Sequence, residues 1–326
     1  VYNQGKYVDN LVEKPYADGW LMLICNPVSG SGQGLARLAA VQRALDGAGV
    51  AYAAEVTARR GDATLLARSA TLAGCSAVVT IGGDGTLFEV VNGVMQPGAV
   101  GTPLREGVAV GLVQAGRGSD FGRSAGIPGD VQSACARLLA GHTQSVDLGY
   151  VRYRSPGGEE RGRYFANAAG LGFDAEVSVR ANAAPRVFGG TVPYLSSLLL
   201  TLGTYRNKRI SVSLDAAEPW HRRVNSVVIA NGQYFGGGMR IAPEAALTDG
   251  QFEVVVLGDL GKFDLVRNVP RVYVGTHVTH PKVSVFRARH LSAGSPDRVL
   301  LQADGEVLGT TPATFEVVPG ALRLIV

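Results

Sequence analysis

Five glycine-rich segments, each following an apolar run, hold the residues of this chain that could do chemistry. The most informative is Gly82-Gly83-Asp84-Gly85-Thr86, set between the apolar run Ala77 to Ile81 and a helix-like segment from Leu87 to Val94. Glycines ahead of the acid let the backbone approach a ligand with no Cβ in the way. Thr86 can cap the following helix, whose N-terminal N–H groups favour an anion. Asp84 is the odd element, because a carboxylate beside a phosphate-friendly loop is repulsive unless a divalent cation sits between them. Together these residues imply a metal–nucleotide site.

The other segments fall at comparable places. Asn26-Pro-Val-Ser-Gly-Ser-Gly-Gln-Gly34 follows the apolar run that starts at Trp20. It misses the dinucleotide pattern G-x-G-x-x-G at its last glycine, although Glu55 lies roughly where an acid is wanted. It reads better as a phosphate cradle made of N–H groups, Asn26 and Ser29, with a plain turn as the alternative. Gln114 to Arg123 offers glycines for close approach, Asp120 for metal or water, and Arg117 and Arg123 for phosphate. Ala230 to Met239, followed by Pro243 to Gly250, is the fourth segment. The fifth is Gln302-Ala-Asp-Gly-Glu306, where Asp304 and Glu306 bracket a glycine and could bind metal or act as a base; a simple hairpin turn is the alternative.

The elements that must position these residues change style along the chain. Apolar runs and helix-like segments alternate up to Ala140, which implies βαβ units, a parallel sheet and ligands beyond the carboxyl ends of its strands. From about Ser145 strand-like runs dominate, among them Arg163 to Ala168, Thr314 to Val318 and Leu322 to Val326. Tyr194 to Tyr205 and Lys262 to Val269 read as helices there. The expected organisation is an extension over 1–19, a nucleotide-binding domain over 20–143 and a β-sandwich over 144–314. With 326 residues, 46% of them hydrophobic, the chain can bury a large core. Its 31 basic against 27 acidic residues are no nucleic-acid footprint. They suit ATP or an acidic lipid surface, or are ordinary surface charge. Cys25, Cys75 and Cys135 fit neither a disulfide framework nor a zinc spacing, so a reducing, cytoplasmic setting is expected. Val192 to Leu202 is too short to span a bilayer, which leaves peripheral contact.

NPVSGSG, IGGDGTLFEVVNG, GRGSDFGR, VDLG (Val146 to Gly149), NAAGLGFDAEV (Asn167 to Val177), ANGQYFGGGM with PEAALTDG, and ADGE follow one another in an order that resembles the bacterial diacylglycerol kinase-type lipid kinases. Sphingosine and ceramide kinases belong to the same group. The resemblance runs from Trp20 to Val326; GGDGT alone is shared with NAD kinases, whereas the NPxSG, GFDAEV and YFGGGM elements are more specific. It implies α/β plus β architecture: a Rossmann-like N-terminal domain, a C-terminal β-sandwich, and a last stretch, 315–326, that rejoins the first domain. It implies that ATP touches Asn26, Pro27, Ser29, Gly30, Thr57, Gly82, Gly83, Gly85, Thr86 and Glu89, with Gly116 and Arg117 on the third loop. Asp84 would help hold a catalytic Mg2+, with Asp120 and Asp147 in its water network, and Glu306 would be the general base. A structural Mg2+ would take Asp249 and the carbonyls of Ala246 and Gln251. Two departures stand out: Gly116-Arg-Gly-Ser-Asp120 replaces the family's Gly-Thr-x-Asn-Asp, and Ser31 stands where some relatives carry lysine.

The activity so implied is phosphoryl transfer from Mg·ATP to the primary hydroxyl of diacylglycerol or a related lipid. A sphingoid base or ceramide is the nearest alternative acceptor, an NAD kinase-like soluble substrate the next, and a non-catalytic nucleotide- or lipid-binding protein the last. Pro185 to Arg209, an apolar centre flanked by Arg186, Arg206, Lys208 and Arg209, reads as a membrane-docking element, or else as a core helix on the sandwich. A peripheral place on the inner membrane face and a homodimer are further expectations of the resemblance.

Overall fold

A computed structural model describes residues 19–115, 119–183 and 191–326, with 191–196 as backbone only. Most of the expected N-terminal extension, the third-loop residues Gly116 and Arg117, and Pro185 to Gly190 of the expected docking segment lie outside the described residues.

The first half is built from β1 (Leu21–Cys25), α1 (Ser29–Gly32), α2 (Gly34–Ala48), β2 (Tyr52–Val56), α3 (Asp62–Leu72), β3 (Ala77–Gly82), α4 (Asp84–Val94), β4 (Ala109–Gln114), α5 (Asp120–Ser124) and α6 (Val131–Ala140). β1, β3 and β4 are buried along their whole length. Near-continuous apolar runs are what a parallel strand covered on both faces requires. β1 pairs in parallel with β2 and β3, and β3 with β4. Leu38, Val41 and Leu45 of α2 and Ala134 and Leu138 of α6 cover one face. Ala63 and Ala67 of α3 and Leu87, Val90 and Val91 of α4 cover the other. The loops after β1, β3 and β4 therefore open together at one sheet edge.

The helix after β3 starts earlier than the Leu87 to Val94 segment suggests. α4 begins at Asp84 and takes the extended Gly83 as its N-cap, so Thr86 sits inside the first turn and does not cap. Glycine reaches that cap geometry without a side chain, and an aspartate in the first turn suits the helix dipole.

The second half comprises β5 (Thr143–Arg154), β6 (Glu160–Phe165), β7 (Ala168–Gly172), α7 (Phe173–Ala183), α8 (Thr191–Thr204), β8 (Lys208–Leu214), β9 (Trp220–Val224), β10 (Ser226–Ala230), β11 (Phe252–Leu257), α9 (Lys262–Tyr273), β12 (Val283–Ala288), β13 (His290–Gly294), β14 (Leu300–Ala303) and β15 (Glu306–Ile325). Its core gathers Phe165, Phe252, Phe315, Leu291 and Val212, with Phe165 stacked on Phe252 at 5.7 Å. The run Arg163 to Ala168 is two strands, broken where Asn167 turns toward Asp304 and Tyr234. The NAAGLGFDAEV segment contains a strand and then α7, joined at Gly172 with φ +104°. α9 continues past Pro270 to Tyr273.

β15 joins the halves. Thr314 to Val318 and Leu322 to Val326 read as separate strands because Pro319-Gly320 is a turn signal. They form one strand of 20 residues, with an irregularity between Val318 and Leu322 where Gly320 takes φ +61°. β15 runs antiparallel to β5 and β14, and its end pairs in parallel with β4 at Arg323 and Leu324. One sheet thus passes from β12 through β11, β10, β7, β14 and β15 to β4, β3, β1 and β2.

Candidate active site

The loop after β1 supplies a frame of backbone groups. Asn26 donates its own N–H to the Ile81 carbonyl at 2.9 Å, accepts the Val28 N–H at 3.2 Å and donates from Nδ2 to Thr86 Oγ1 at 3.3 Å. Pro27 and Ser29 follow, and Ser29 N–H returns to the Asn26 carbonyl at 3.2 Å. Gly30 and Ser31 are both left-handed, with φ 59°. That conformation is natural for glycine and strained for serine. Thr57, at the end of β2, ties to the Cys25 carbonyl through its N–H at 2.9 Å and its hydroxyl at 3.4 Å.

The glycines of the second loop do different jobs. A Cβ on Gly82 would fall 2.6 Å from Thr86 Oγ1, so Gly82 lets the loop fold onto its own helix. A Cβ on Gly83 would meet nothing within 4 Å, which leaves its backbone open to a ligand. A Cβ on Gly85 would lie 3.5 Å from Glu306 Oε1. The second half of the chain thus brings its carboxylate directly to this loop.

Asp84 accepts the N–H groups of Asp120 at 2.9 Å and Phe121 at 3.2 Å, with the Ser119 hydroxyl at 3.4 Å. The residue keeps some exposed surface, but its carboxyl group is enclosed by protein. Desolvation first, then the neighbouring Asp120 charge, raise its pKa to about 7. Asp120, itself buried, accepts N–H groups from Gly237 at 2.7 Å and Gly238 at 2.8 Å, and pairs with Arg123 at 3.0 Å. Burial still holds the Asp120 carboxyl above the usual range. The left-handed glycines of the Gly-Gly-Gly turn are what reach across from the second half to Asp120. Hard carboxylate oxygens in a desolvated acid pair fit a divalent cation in donor type and in charge.

Three other acids belong to the frame. Asp304, read in the sequence as a partner of Glu306 for metal or base chemistry, accepts the N–H groups of Ala166 at 2.7 Å and of Asn167 and Ala168 at 3.0 Å. It fixes the turn between β14 and β15, and desolvation lifts its pKa to about 6 against those hydrogen bonds. Glu89, expected at the nucleotide, accepts the Gly61 and Ala63 N–H groups at 2.9 and 3.1 Å and so caps α3. Asp147, expected in the water network around Asp84, accepts Gly320 N–H on one oxygen and Gly250 N–H on the other, each at 2.7 Å. In each case a buried or turn-bound carboxylate satisfies backbone donors at a turn, a strand end or a helix start.

Asp249 is exposed and accepts the Gln251 N–H at 3.0 Å. Asp249, Ala246 and Gln251 form a group apart, joined to the frame through Gly250 and Asp147 and by no hydrogen bond to Asp84 or Glu306 among the described residues. One carboxylate with neighbouring carbonyls is a donor set that a hard cation accepts. Among the described residues no three His, Cys, Asp or Glu side chains gather as a metal-holding group.

Two residues at the site were not anticipated. Arg60 forms an ion pair with Glu306 across 246 residues of chain. Asn182 of α7 donates to the Gly305 carbonyl at 3.1 Å. The signal for Arg60 was its place three residues after Thr57, at the same sheet edge as the glycine loops.

Comparison with known proteins gives this arrangement its class. Residues 20–151 match the family model of the diacylglycerol kinase catalytic domain, and residues 167–326 match that of the YegS C-terminal NAD kinase beta sandwich-like domain. A diacylglycerol kinase of Mycobacterium tuberculosis is 30% identical over 308 residues, covering 94% of this chain and 95% of the relative. A diacylglycerol kinase of Bacillus subtilis is 26% identical over 294 residues, covering 90% and 91%. Among solved structures, a diacylglycerol kinase from Bacillus anthracis superposes with a TM-score of 0.69 at 19% identity, covering 94% of this chain and 96% of the other. An NAD kinase from Archaeoglobus fulgidus in complex with ATP superposes at 0.52 and 10% identity, covering 94% and 93%, and shares the fold. The chain belongs to the diacylglycerol kinase family of lipid kinases, and it is an enzyme, a kinase.

Proposed function

We propose that this kinase transfers the γ-phosphoryl group of ATP, with Mg2+, to the primary hydroxyl of diacylglycerol or a closely related lipid. The observation that carries the reading is the approach of Glu306, from the β14–β15 turn, to Gly85 of the GGDGT loop. An acceptor hydroxyl and a phosphate chain held on opposite sides of that contact would meet at the carboxylate. Phosphoryl transfer draws mainly on such positioning and on charge neutralisation.

In this reading the backbone at Gly30, Gly83 and Gly85 cradles the phosphates, with Asn26, Pro27, Ser29, Thr57 and Thr86 bordering it. Glu306 accepts the hydroxyl proton as the new oxygen–phosphorus bond forms and the bond to the β-phosphate oxygen breaks, releasing ADP. Arg60, paired with Glu306, holds its carboxylate aimed until the acceptor arrives. Mg2+ supplies charge neutralisation on the phosphates when bound, and Asp84 with Asp120 are the residues that would hold it, directly or through water. Asp249 and the carbonyls of Ala246 and Gln251 would hold a second, structural ion.

The lipid is reached from a bilayer by peripheral contact. Among the described residues no helix is long and apolar enough to cross a membrane. Leu199 and Leu200 of α8 point outward, while Leu198 and Leu202 are buried, which supports a helix that both covers the sandwich and faces a lipid surface. The deciding experiment incubates the protein with radiolabelled ATP and diacylglycerol, ceramide, sphingosine, phosphatidylglycerol or NAD, with and without Mg2+. Label in phosphatidic acid that depends on Mg2+ is expected. Label in NAD alone, or in no acceptor, would refute the reading.

A further inference from the structure

α9 is a helix of 12 residues of which none is buried. Its inner residues Leu265 and Val269 rest on the cluster formed by Phe173, Val177, Leu198 and Leu202 of α7 and α8. Its outer face shows Phe263, 77% exposed, and Val266, 52% exposed. Lys262 and Arg267 stand beside them, also exposed. Lys262 Nζ donates to the Gly203 carbonyl, so this end of α9 abuts the end of α8. Leu199 and Leu200 of α8 are exposed as well.

A groove of about 440 Å³ lies between the two helix ends. Four cations line it, Arg206, Arg223, Lys262 and Lys282, against two acids, Asp259 and Asp264. Arg223 pairs with Asp259 at 3.7 Å and Lys282 with Asp264 at 3.5 Å. Arg206 has no acidic partner among the described residues, and neither has Arg267. The lining therefore carries an excess of positive charge, and Lys262, the neighbour of the exposed Phe263, is part of it.

Apolar residues on one face with lysine and arginine around them are the pattern of a helix that lies in a membrane interface. A second copy of this chain is a poorer occupant, because a two-fold contact through this face would set its unpaired cations against each other. We propose that α9 and the end of α8 form a docking surface for a bilayer bearing anionic phospholipid. Phe263, Val266, Leu199 and Leu200 enter the acyl boundary, and Arg206, Lys262 and Arg267 meet headgroup phosphates. The proposal deepens the lipid-kinase reading and rests on it only for the identity of the substrate.

The test is co-sedimentation of the full chain with vesicles of phosphatidylcholine alone or mixed with phosphatidylglycerol. The variants are Phe263→Asp with Val266→Asp, and Lys262→Glu with Arg267→Glu, all at exposed positions. The wild type is expected to prefer the anionic vesicles. Each cation near the surface contributes roughly fivefold in partitioning, so the charge-reversed variant should fall by more than tenfold. The apolar variant should fall at least as far. Both should phosphorylate a water-soluble short-chain diacylglycerol at the wild-type rate. Equal binding to both vesicle types, or wild-type partitioning in both variants, would overturn the docking surface. So would a wild-type dimer that Phe263→Asp with Val266→Asp dissociates. If the wild type binds anionic vesicles but leaves the short-chain lipid unphosphorylated, docking stands and the lipid-kinase reading falls.

Discussion

The turns that carry Glu306 and Asp84 meet at Gly85, and each acid can be tested alone. Glu306→Gln keeps shape and hydrogen-bonding capacity but cannot take a proton, so turnover should fall by roughly 10²- to 10⁴-fold with the circular dichroism spectrum unchanged. Activity near wild type would remove Glu306 from the role of base. The raised pKa values of Asp84, about 7, and Asp304, about 6, make a second prediction. The folded protein holds protons there that the unfolded chain releases above about pH 4. Folded-state pKa values above the unfolded ones mean stability present at low pH and lost as pH rises through the folded values. The ligand-free protein should therefore lose stability between about pH 4 and 7 from this cluster. Asp84→Asn should gain on wild type between pH 5 and pH 8, on the order of 1–3 kcal/mol by urea unfolding. A difference that does not change with pH would contradict the desolvated acid pair. The glycine turns that carry Asp84 and Glu306 were legible in the sequence, because each follows an apolar run. The framing roles of Asp304, Glu89 and Asp147 were not, since their N–H partners belong to remote segments.

At the scale of elements, alternation and glycine punctuation located the strands of the first half well, and misled where a local signal met a tertiary override. Thr86 looks like a cap, yet Gly83 takes that place and the helix starts at Asp84. Pro319-Gly320 looks like a turn, yet pairing with β5 on both sides carries the strand through it. The structure makes β15 the element on which both halves depend. Leu324 is fully buried and pairs with Val110 of β4. Leu324→Ala should cost about 2–5 kcal/mol in chemical denaturation, through lost burial and an unfilled cavity. A loss under about 1 kcal/mol would show that the β15–β4 junction is not a structural seam.

For the molecule as a whole, Asp147 is the clamp. It lies on β5, and its two oxygens hold Gly320 on β15 and Gly250 before β11. Asp147→Ala would leave two N–H groups without that partner. It should lower stability by roughly 2–5 kcal/mol. Because β15 also carries Glu306, activity should fall further than the folded fraction does. Unchanged urea midpoints would count against the clamp.

The sequence by itself determined the glycine loops at strand ends, the change from alternating to strand-rich patterning, and the family these motifs define. All three depend on local spacing: periodicity, turn chemistry and backbone access are properties of neighbouring residues. Only the tertiary structure decided which partner each acid meets. Asp84, Asp304 and Glu306 are all carboxylates in glycine turns. What separates them is the backbone N–H or guanidinium each meets, and those partners come from segments far away in the chain. The GGDGT loop is thus one wall of a site whose other wall, Glu306 with Arg60, exists only once β15 has crossed between the halves.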